Sequence, residues 1–254
     1  PTSENAAGSV ASVEIEEYAR IAAAEDDHWW YRNTRAVMGD LLAPWLGTNQ
    51  TILDAGCGPG GNGAWLADHG RVVGADLSAD ALAYVRAGRP ETTPVRGSID
   101  ALPFASGSFD VAVAITVITC VEDDARAVRE MARVVRTGGA VLLVEPAFTA
   151  LRRGHDKTVH SLRRYRRPQL RALMTAAGLD IKRATYLYSF LTPPAAALAA
   201  AERIRPHTAA TAGSDVERRS FDPAFARLAE QERRWLARRD MPIGTSLAIV
   251  ATRA

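Results

Sequence analysis

Two hydrophobic rhythms alternate along this chain. From Val13 to Ala24 the apolar positions Ile15, Tyr18 and Ile21 keep helical spacing, and a second helix is expected from Ala36 to Leu46. Thr51 to Leu53 then reads as the end of a short buried strand, with helical pattern resuming at Ala64-Trp65-Leu66-Ala67. A second strand follows at Arg71 to Ala75. Phe109 to Thr116 is a continuous apolar run, the pattern of a strand covered on both faces of a parallel sheet. Glu122 to Arg136 carries the apolar stripe Ala127, Val128, Met131, Val134 and Val135, and Gly138-Gly139 is expected to stop that helix before a strand at Ala140 to Val144.

The later chain is less regular. A helix entered from Arg163 to Leu170 should run to about Ala177, with Gly178 as its cap. Asp180 to Ser189 alternates imperfectly, as a sixth strand that Thr192-Pro193-Pro194 breaks. An Ala-rich helix from Ala195 to Arg203 and a helix from Pro223 to Arg238, with Phe225, Leu228, Ala229, Glu232 and Trp235 on one side, then read as a cap inserted before a closing strand at Leu247 to Ala251. Pro1 to Ser12 and Thr208 to Gly213 are small and polar, and disorder is expected there. Strands alternating with helices predict an α/β fold around a mostly parallel sheet.

The first strand ends in Asp54-Ala55-Gly56-Cys57-Gly58-Pro59-Gly60, an acid followed by glycines at every second position. A strand-to-helix turn that needs this much backbone freedom is where an open α/β sheet binds a nucleotide-like ligand. The second strand ends in Asp76, sixteen residues after Gly60, where a carboxylate can accept hydrogen bonds from a ribose diol. Dinucleotide sites prefer a Gly-x-Gly-x-x-Gly spacing. An acid beside a pyrophosphate would repel it, whereas beside a sulfonium or an amino group it attracts. The turn therefore favours a cationic ligand without phosphates.

Composition narrows the picture only slightly. The 254 residues suit one α/β domain with an insertion, and 47% apolar residues supply a full core without staples. A net charge of +2 does not imply nucleic acid. Cys57 and Cys120 are the only cysteines, so neither a disulfide framework nor a Cys/His metal spacing is present. The longest apolar run, Pro193 to Ala201, is about half a membrane span. With a polar, acidic start and no leader pattern, a cytoplasmic protein is expected, without metal and without membrane partner.

Asp54 to Gly60 and the second acid Asp76 resemble the first motifs of the class I S-adenosylmethionine-dependent methyltransferases. Glu145-Pro146 after a double glycine and an apolar strand is similar to the same pattern, as is Pro242 to Leu247 before the final strand. The resemblance implies a Rossmann-like, doubly wound seven-stranded sheet whose last strand is antiparallel. It also implies an N-terminal helical lid within residues 1–46, with residues 47–254 forming the cofactor-binding domain and the cap at about 190–240. The cofactor would be S-adenosylmethionine, leaving as S-adenosylhomocysteine, held by Asp54, Gly56, Cys57, Gly58, Asp76, Leu77 and Thr116. The segment His28-Trp29-Trp30-Tyr31-Arg32 resembles a lid over the methionine half, with Trp30 facing it and Arg35 or Arg32 pairing with the cofactor carboxylate; Thr34 stands where the pattern has arginine. Many relatives place an acid directly after Gly97 to meet the adenine amino group. Here Ser98 would accept that bond and Ile99 would cover the ring, while Asp100 either takes part or caps the next turn.

The acceptor side departs from the family pattern, since Thr119-Cys120 stands where relatives often carry Glu-His. The segment from Arg152 to Arg167 holds seven basic residues with His155 and His160 and the single acid Asp156. Arginine forks there could hold a carboxylate or phosphate of a small acceptor; a solvated loop and a nucleic-acid patch are the alternatives, the latter short of stacking aromatics. His155, His160 and Tyr165 are the candidates for a general base or for orienting the acceptor. The expected activity is O- or N-methylation of a small molecule, anionic acceptors included. The rivals are a non-methylating reaction such as cyclisation on the same fold, or a nucleotide-binding module or dehydrogenase. A homodimer is left open.

Overall fold

The computed structural model describes residues 15–204 and 222–254. The stretches Pro1 to Ser12 and Thr208 to Gly213 lie outside them. Two helices, α1 (Ile15–Ala24) and α2 (Trp29–Leu42), precede β1 (Gln50–Ala55), α3 (Gly63–Ala67), β2 (Gly70–Asp76), α4 (Ala79–Gly88), β3 (Thr92–Arg96) and β4 (Phe109–Ile115). The chain continues through α5 (Asp124–Val134), β5 (Val135–Pro146), α6 (Gly154–Thr158), α7 (Arg167–Ala176) and β6 (Leu179–Leu187). It finishes with α8 (Thr192–Ile204), α9 (Asp222–Leu236) and β7 (Ser246–Arg253).

Among the described residues these strands form one seven-stranded sheet in the order β3-β2-β1-β4-β5-β7-β6. β1 to β5 run parallel, and β7 pairs antiparallel with both β5 and β6. This is the doubly wound Rossmann-like sheet with its last strand reversed. The strand order turns back between β1 and β4, so the crevice beyond their C-terminal ends is the topological switch point where such sheets bind ligands.

Two cores sandwich the sheet. On one face Leu53, Ala112, Leu143 and Ile249 pack with Val128 and Met131 of α5 and Leu170 and Met174 of α7. On the other Ile52, Val111, Leu142 and Val250 pack with Met38, Leu41 and Leu42 of α2 and Ala229 and Leu236 of α9. The alternation of Ile52 and Leu53, or Leu142 and Leu143, between faces is the period of two expected of a strand covered on both sides.

Several expected boundaries move, each for a local reason. α2 begins at Trp29 rather than Ala36, because the His28 ring accepts from Trp30 N at 3.2 Å and acts as N-cap. α8 begins at Thr192, so Pro193 and Pro194 open a helix instead of only breaking a strand; proline fits the first turn, where its N–H would have no partner. Gly138-Gly139 does not lie between helix and strand. β5 already starts at Val135 and passes through the pair. The buried side of α9 includes the expected Ala229 and Glu232 and adds Leu236, while Leu228 and Trp235, also expected there, are exposed. Glu232 enters this face because its carboxylate accepts the backbone N–H groups of Tyr188 and Ser189.

Candidate functional site

The loop after β1 bends back over β2. Gly58, at φ +53°, donates its N–H to Asp76 Oδ2 at 2.9 Å, and Asp76 Oδ1 accepts from Ser78 N at 2.8 Å. A side chain added at Gly58 would meet nothing within 4 Å. The loop therefore presents bare backbone to an open space beside a carboxylate whose direction is fixed by two backbone donors. Burial raises the Asp76 carboxyl above its ordinary range and those donors oppose the shift. Leu77, next in sequence, is partly exposed at the same edge.

Asp54 sits deeper, fully buried at the end of β1, with Asn62 Nδ2 donating to it at 3.2 Å. Burial pushes its carboxyl up to about 7, against the Asn62 hydrogen bond. Cys57 is buried and its thiol is raised by the same cause, so it is no nucleophile at neutral pH. Beyond β3, Ser98 Oγ donates to Asp100 Oδ1 at 2.5 Å, which joins the two residues considered for the adenine side, and Ile99 is buried in the core beneath them. Thr116, at the end of β4, is exposed with φ +57°, its hydroxyl donating to Ile115 O at 2.7 Å.

The N-terminal helices lie against this loop. Tyr18 of α1 is buried with its hydroxyl interacting with Ser78 and facing Asp76; burial, then the Asp76 charge, raises it to about 12. Arg35, considered for the cofactor carboxylate, directs its guanidinium to two backbone carbonyls, Glu25 O at 2.7 Å and Gly61 O at 3.3 Å. Thr34 is fully buried and its hydroxyl meets Tyr188 OH at 2.6 Å, so it serves the core. Trp29 fills an aromatic cluster with Tyr188, Phe190 and Phe225. Trp30 is partly buried, edge-on to Tyr31 with centroids 5.0 Å apart.

The other wall of the crevice is a short turn, Ile118–Cys120, held by Glu145, which the sequence marks only as part of a strand-ending motif. Glu145, fully buried at the end of β5, accepts the N–H groups of Val117 and Ile118 on one oxygen and of Thr119 on the other, at 3.1–3.2 Å. Burial lifts its carboxyl to about 8 despite these donors. Tyr165 is also buried. Its hydroxyl donates to Asp124 at 2.8 Å, and burial followed by the Glu145 charge holds the phenol well above its ordinary value. Cys120 Sγ donates to Val159 O at 3.3 Å, and its thiol is pushed up to about 12 by burial. His160 follows α6 in a left-handed conformation, φ +52°. His155 Nδ1 is buried with no hydrogen-bond partner among the described residues.

Five arginines of the basic segment are engaged within the protein, while Arg166 is exposed. Arg164 grips Asp156 with two nitrogens, at 2.7 and 2.9 Å. Arg163 pairs with Asp124 at 2.8 Å, Arg152 with Ser161 O at 2.8 Å, and Arg153 with Glu202 at 3.0 Å. Arg167 lies over the Tyr186 ring, 4.8 Å from its centroid.

Residues 53–143 match the family model of the methyltransferase domain. Over these residues the chain is similar to S-adenosylmethionine-dependent methyltransferases. It is 30% identical over 165 residues to a probable S-adenosylmethionine-dependent methyltransferase of Mycolicibacterium smegmatis, covering 64% of this chain and 63% of that protein. It is 35% identical over 146 residues to a malonyl-[acyl-carrier protein] O-methyltransferase of Pseudescherichia vulneris, covering 56% and 55%. The chain thus matches less than two thirds of the length of these curated relatives. In fold it is similar to a methyltransferase solved in complex with the Haloferax volcanii Trm112 methyltransferase activator, with a TM-score of 0.64 at 20% identity over 96% of this chain and 97% of that one.

The Mycolicibacterium relative is named for its dependence on S-adenosylmethionine, and the crevice of this chain has features that such a group needs. Gly58 offers a side-chain-free backbone to open space, and Asp76 is aimed there by Gly58 N and Ser78 N. The buried acid Asp54 lies behind them. Among the described residues no group of three or more His, Cys, Asp or Glu side chains could hold a metal ion, and no helix is long and apolar enough to cross a membrane.

Proposed function

We propose that this chain is a methyltransferase acting on a small-molecule acceptor at oxygen or nitrogen. The observation that carries the reading is the bond between Gly58 N and Asp76 at the switch point of the sheet, with Asp54 buried behind the same loop. Asp76 would accept from the ribose hydroxyls, Ser98 and Ile99 would meet the adenine, and Asp54 would face the amino acid end. Leu77, Thr116, Gly56, Cys57 and Trp30 would line the remaining surface. When bound, S-adenosylmethionine supplies a methyl group already activated on a sulfonium. The protein's task is then to align the acceptor and exclude water.

The acceptor would enter between the Thr116–Cys120 turn and the segment from α6 to Tyr165. A carboxylate acceptor, as the name of the malonyl-carrier relative implies for that protein, needs no general base because it is already ionised. In that case His155, with its unpartnered nitrogen, would orient an acceptor oxygen. Tyr165, tied to Asp124, would support the turn. An anionic acceptor would have to find cations other than Arg163 and Arg164, whose guanidinium groups are already paired.

The test is mass spectrometry of small molecules carried through purification, followed by calorimetric titration with S-adenosylhomocysteine. Co-purified cofactor or micromolar binding supports the reading. A folded protein that binds neither S-adenosylhomocysteine nor S-adenosylmethionine overturns it.

A further inference from the structure

The back of the glycine loop is gripped at a single peptide group. Gly61 N donates to Glu25 Oε2 at 3.0 Å, and Gly61 O accepts from Arg35 at 3.3 Å. Arg35 also donates to Glu25 O at 2.7 Å, so the same guanidinium ties the α1–α2 corner to the loop. The second oxygen of Glu25 accepts from Arg89 at the end of α4 at 2.8 Å, and Arg89 reaches Asp26 as well. Glu25 is only 4% exposed. There is no slack at the contact: a methyl group placed on Gly61 would collide with the Glu25 carboxylate.

The latch borders open space between α1 and α4. A cleft of about 290 Å³ opens there, bordered by Glu25, Asp26 and Arg89 of the latch and by Ala22, Pro59 and Tyr84. α1 is therefore docked by these directed polar contacts together with the buried side chains Tyr18 and Ala24. α1 is also the element that brings Tyr18 to Ser78 and Asp76.

We infer that Glu25 is a positioning residue for the cofactor loop: by holding Gly61 N and Arg89 together it makes closure of α1 and the binding shape of the glycine loop one coupled equilibrium. The inference rests on the methyltransferase reading for its ligand, but the latch itself is a property of the protein alone. With Glu25 in place, the loop is held from behind while Gly58 stays open in front. Without an acceptor at this position, Gly61 N and Arg89 lose a buried partner, α1 keeps only the Arg35 tie to the loop, and the loop can relax away from the shape that aims Gly58 at Asp76.

The experiment is a double-mutant cycle on Glu25→Ala and Gly61→Ala, with Glu25→Gln as the conservative variant, in the full chain. Three readouts are taken: S-adenosylhomocysteine affinity by calorimetry, thermal midpoint, and amide exchange of Ile15–Ala24 without ligand. Glu25→Ala is expected to weaken S-adenosylhomocysteine about tenfold or more, the scale of a lost charge-assisted hydrogen bond, and to speed exchange in Ile15–Ala24. Glu25→Gln, whose amide oxygen can still accept from Gly61 N, should recover most of the affinity. Gly61→Ala should harm the wild type but add little to Glu25→Ala, because the colliding carboxylate is gone. Wild-type affinity in Glu25→Ala, or simple additivity of the two changes, overturns the inference. If the wild-type chain binds no S-adenosylhomocysteine, the functional reading fails separately, and exchange alone decides the latch: faster exchange in Glu25→Ala supports it and unchanged exchange removes it.

Discussion

Arg164 and Asp156 form a two-point ion pair, Nε to Oδ1 at 2.7 Å and the second nitrogen to Oδ2 at 2.9 Å, with Asp156 almost wholly out of solvent. The same carboxylate accepts the N–H of Arg153 at 2.8 Å and so closes the start of α6. A pair of this kind stabilises mainly in the sense that removing one partner leaves a buried charge. Arg164→Ala is accordingly expected to destabilise the fold by about 3 kcal/mol. In a chemical denaturation series this should appear as a lower midpoint, with acceptor KM changed far less than stability. A normal midpoint with a raised KM would instead give Arg164 a place at the acceptor.

Glu145 carries three backbone donors, and an amide in its place offers one acceptor oxygen. Glu145→Gln should therefore free at least one of Val117 N, Ile118 N and Thr119 N, at about 1–3 kcal/mol for each buried donor left unmatched. Hydrogen exchange at these three amides is expected to accelerate. Because the Val117 side chain presses on Gly56 across the crevice, S-adenosylhomocysteine binding should weaken too. Exchange indistinguishable from the wild type would remove Glu145 from this role.

Asp54, held at about 7 in the folded chain against an ordinary carboxyl value near 4, keeps a proton that the unfolded chain has already lost. Its contribution to stability is present in full at pH 4 and declines as pH rises through 7. Asp54→Asn should thus flatten the fall of the thermal midpoint between pH 5 and pH 8 relative to the wild type. The ammonium group of the ligand's amino acid end favours the ionised form, so wild-type affinity for S-adenosylhomocysteine should rise with pH by at most about tenfold per unit below 7 and level off above it. Parallel curves for wild type and variant would show that Asp54 is not the titrating group.

Asp76→Asn preserves an oxygen toward Gly58 N or Ser78 N while removing the charge. Cofactor affinity is expected to drop by about 1–3 kcal/mol, roughly tenfold to a hundredfold, from the loss of charge-assisted bonds to the ribose. An unchanged dissociation constant in a folded variant would sink the ribose assignment.

The donor half of this molecule is legible in the chain because its signals are local. Continuous apolar runs mark β4 and β5, and the acid-led glycine rhythm marks the turn between β1 and α3. The helix starts were legible too, had His28 and Thr192-Pro193 been weighed as N-terminal signals. What the chain conceals is partnership at a distance. Nothing near Glu145 foretells that it closes a turn about 27 residues earlier, and nothing near Arg163 foretells Asp124 as its mate, although Asp156, the one acid of the basic segment, stands eight residues before Arg164. A run of arginines looks like an anion trap when the acids that neutralise it come from other elements. Tyr18 is hidden for a related reason: as one apolar position of a helical stripe it looks like core, and only the docking of α1 brings its hydroxyl to Ser78.

The reversed strand β7 has a further consequence. Parallel neighbours must be joined by a crossover that returns the chain to the starting edge, which constrains every link from β1 to β5, whereas β6 and β7 are antiparallel neighbours and could be joined by a tight turn. Here Leu187 and Ser246 are instead separated by a long excursion containing α8 and α9, and the register of the pair is kept. That junction is a place where mass can be added or removed without re-registering the sheet. A lineage could remodel the surroundings of an acceptor there, by insertion and deletion, while the nucleotide half stayed untouched at the opposite end of the strand order.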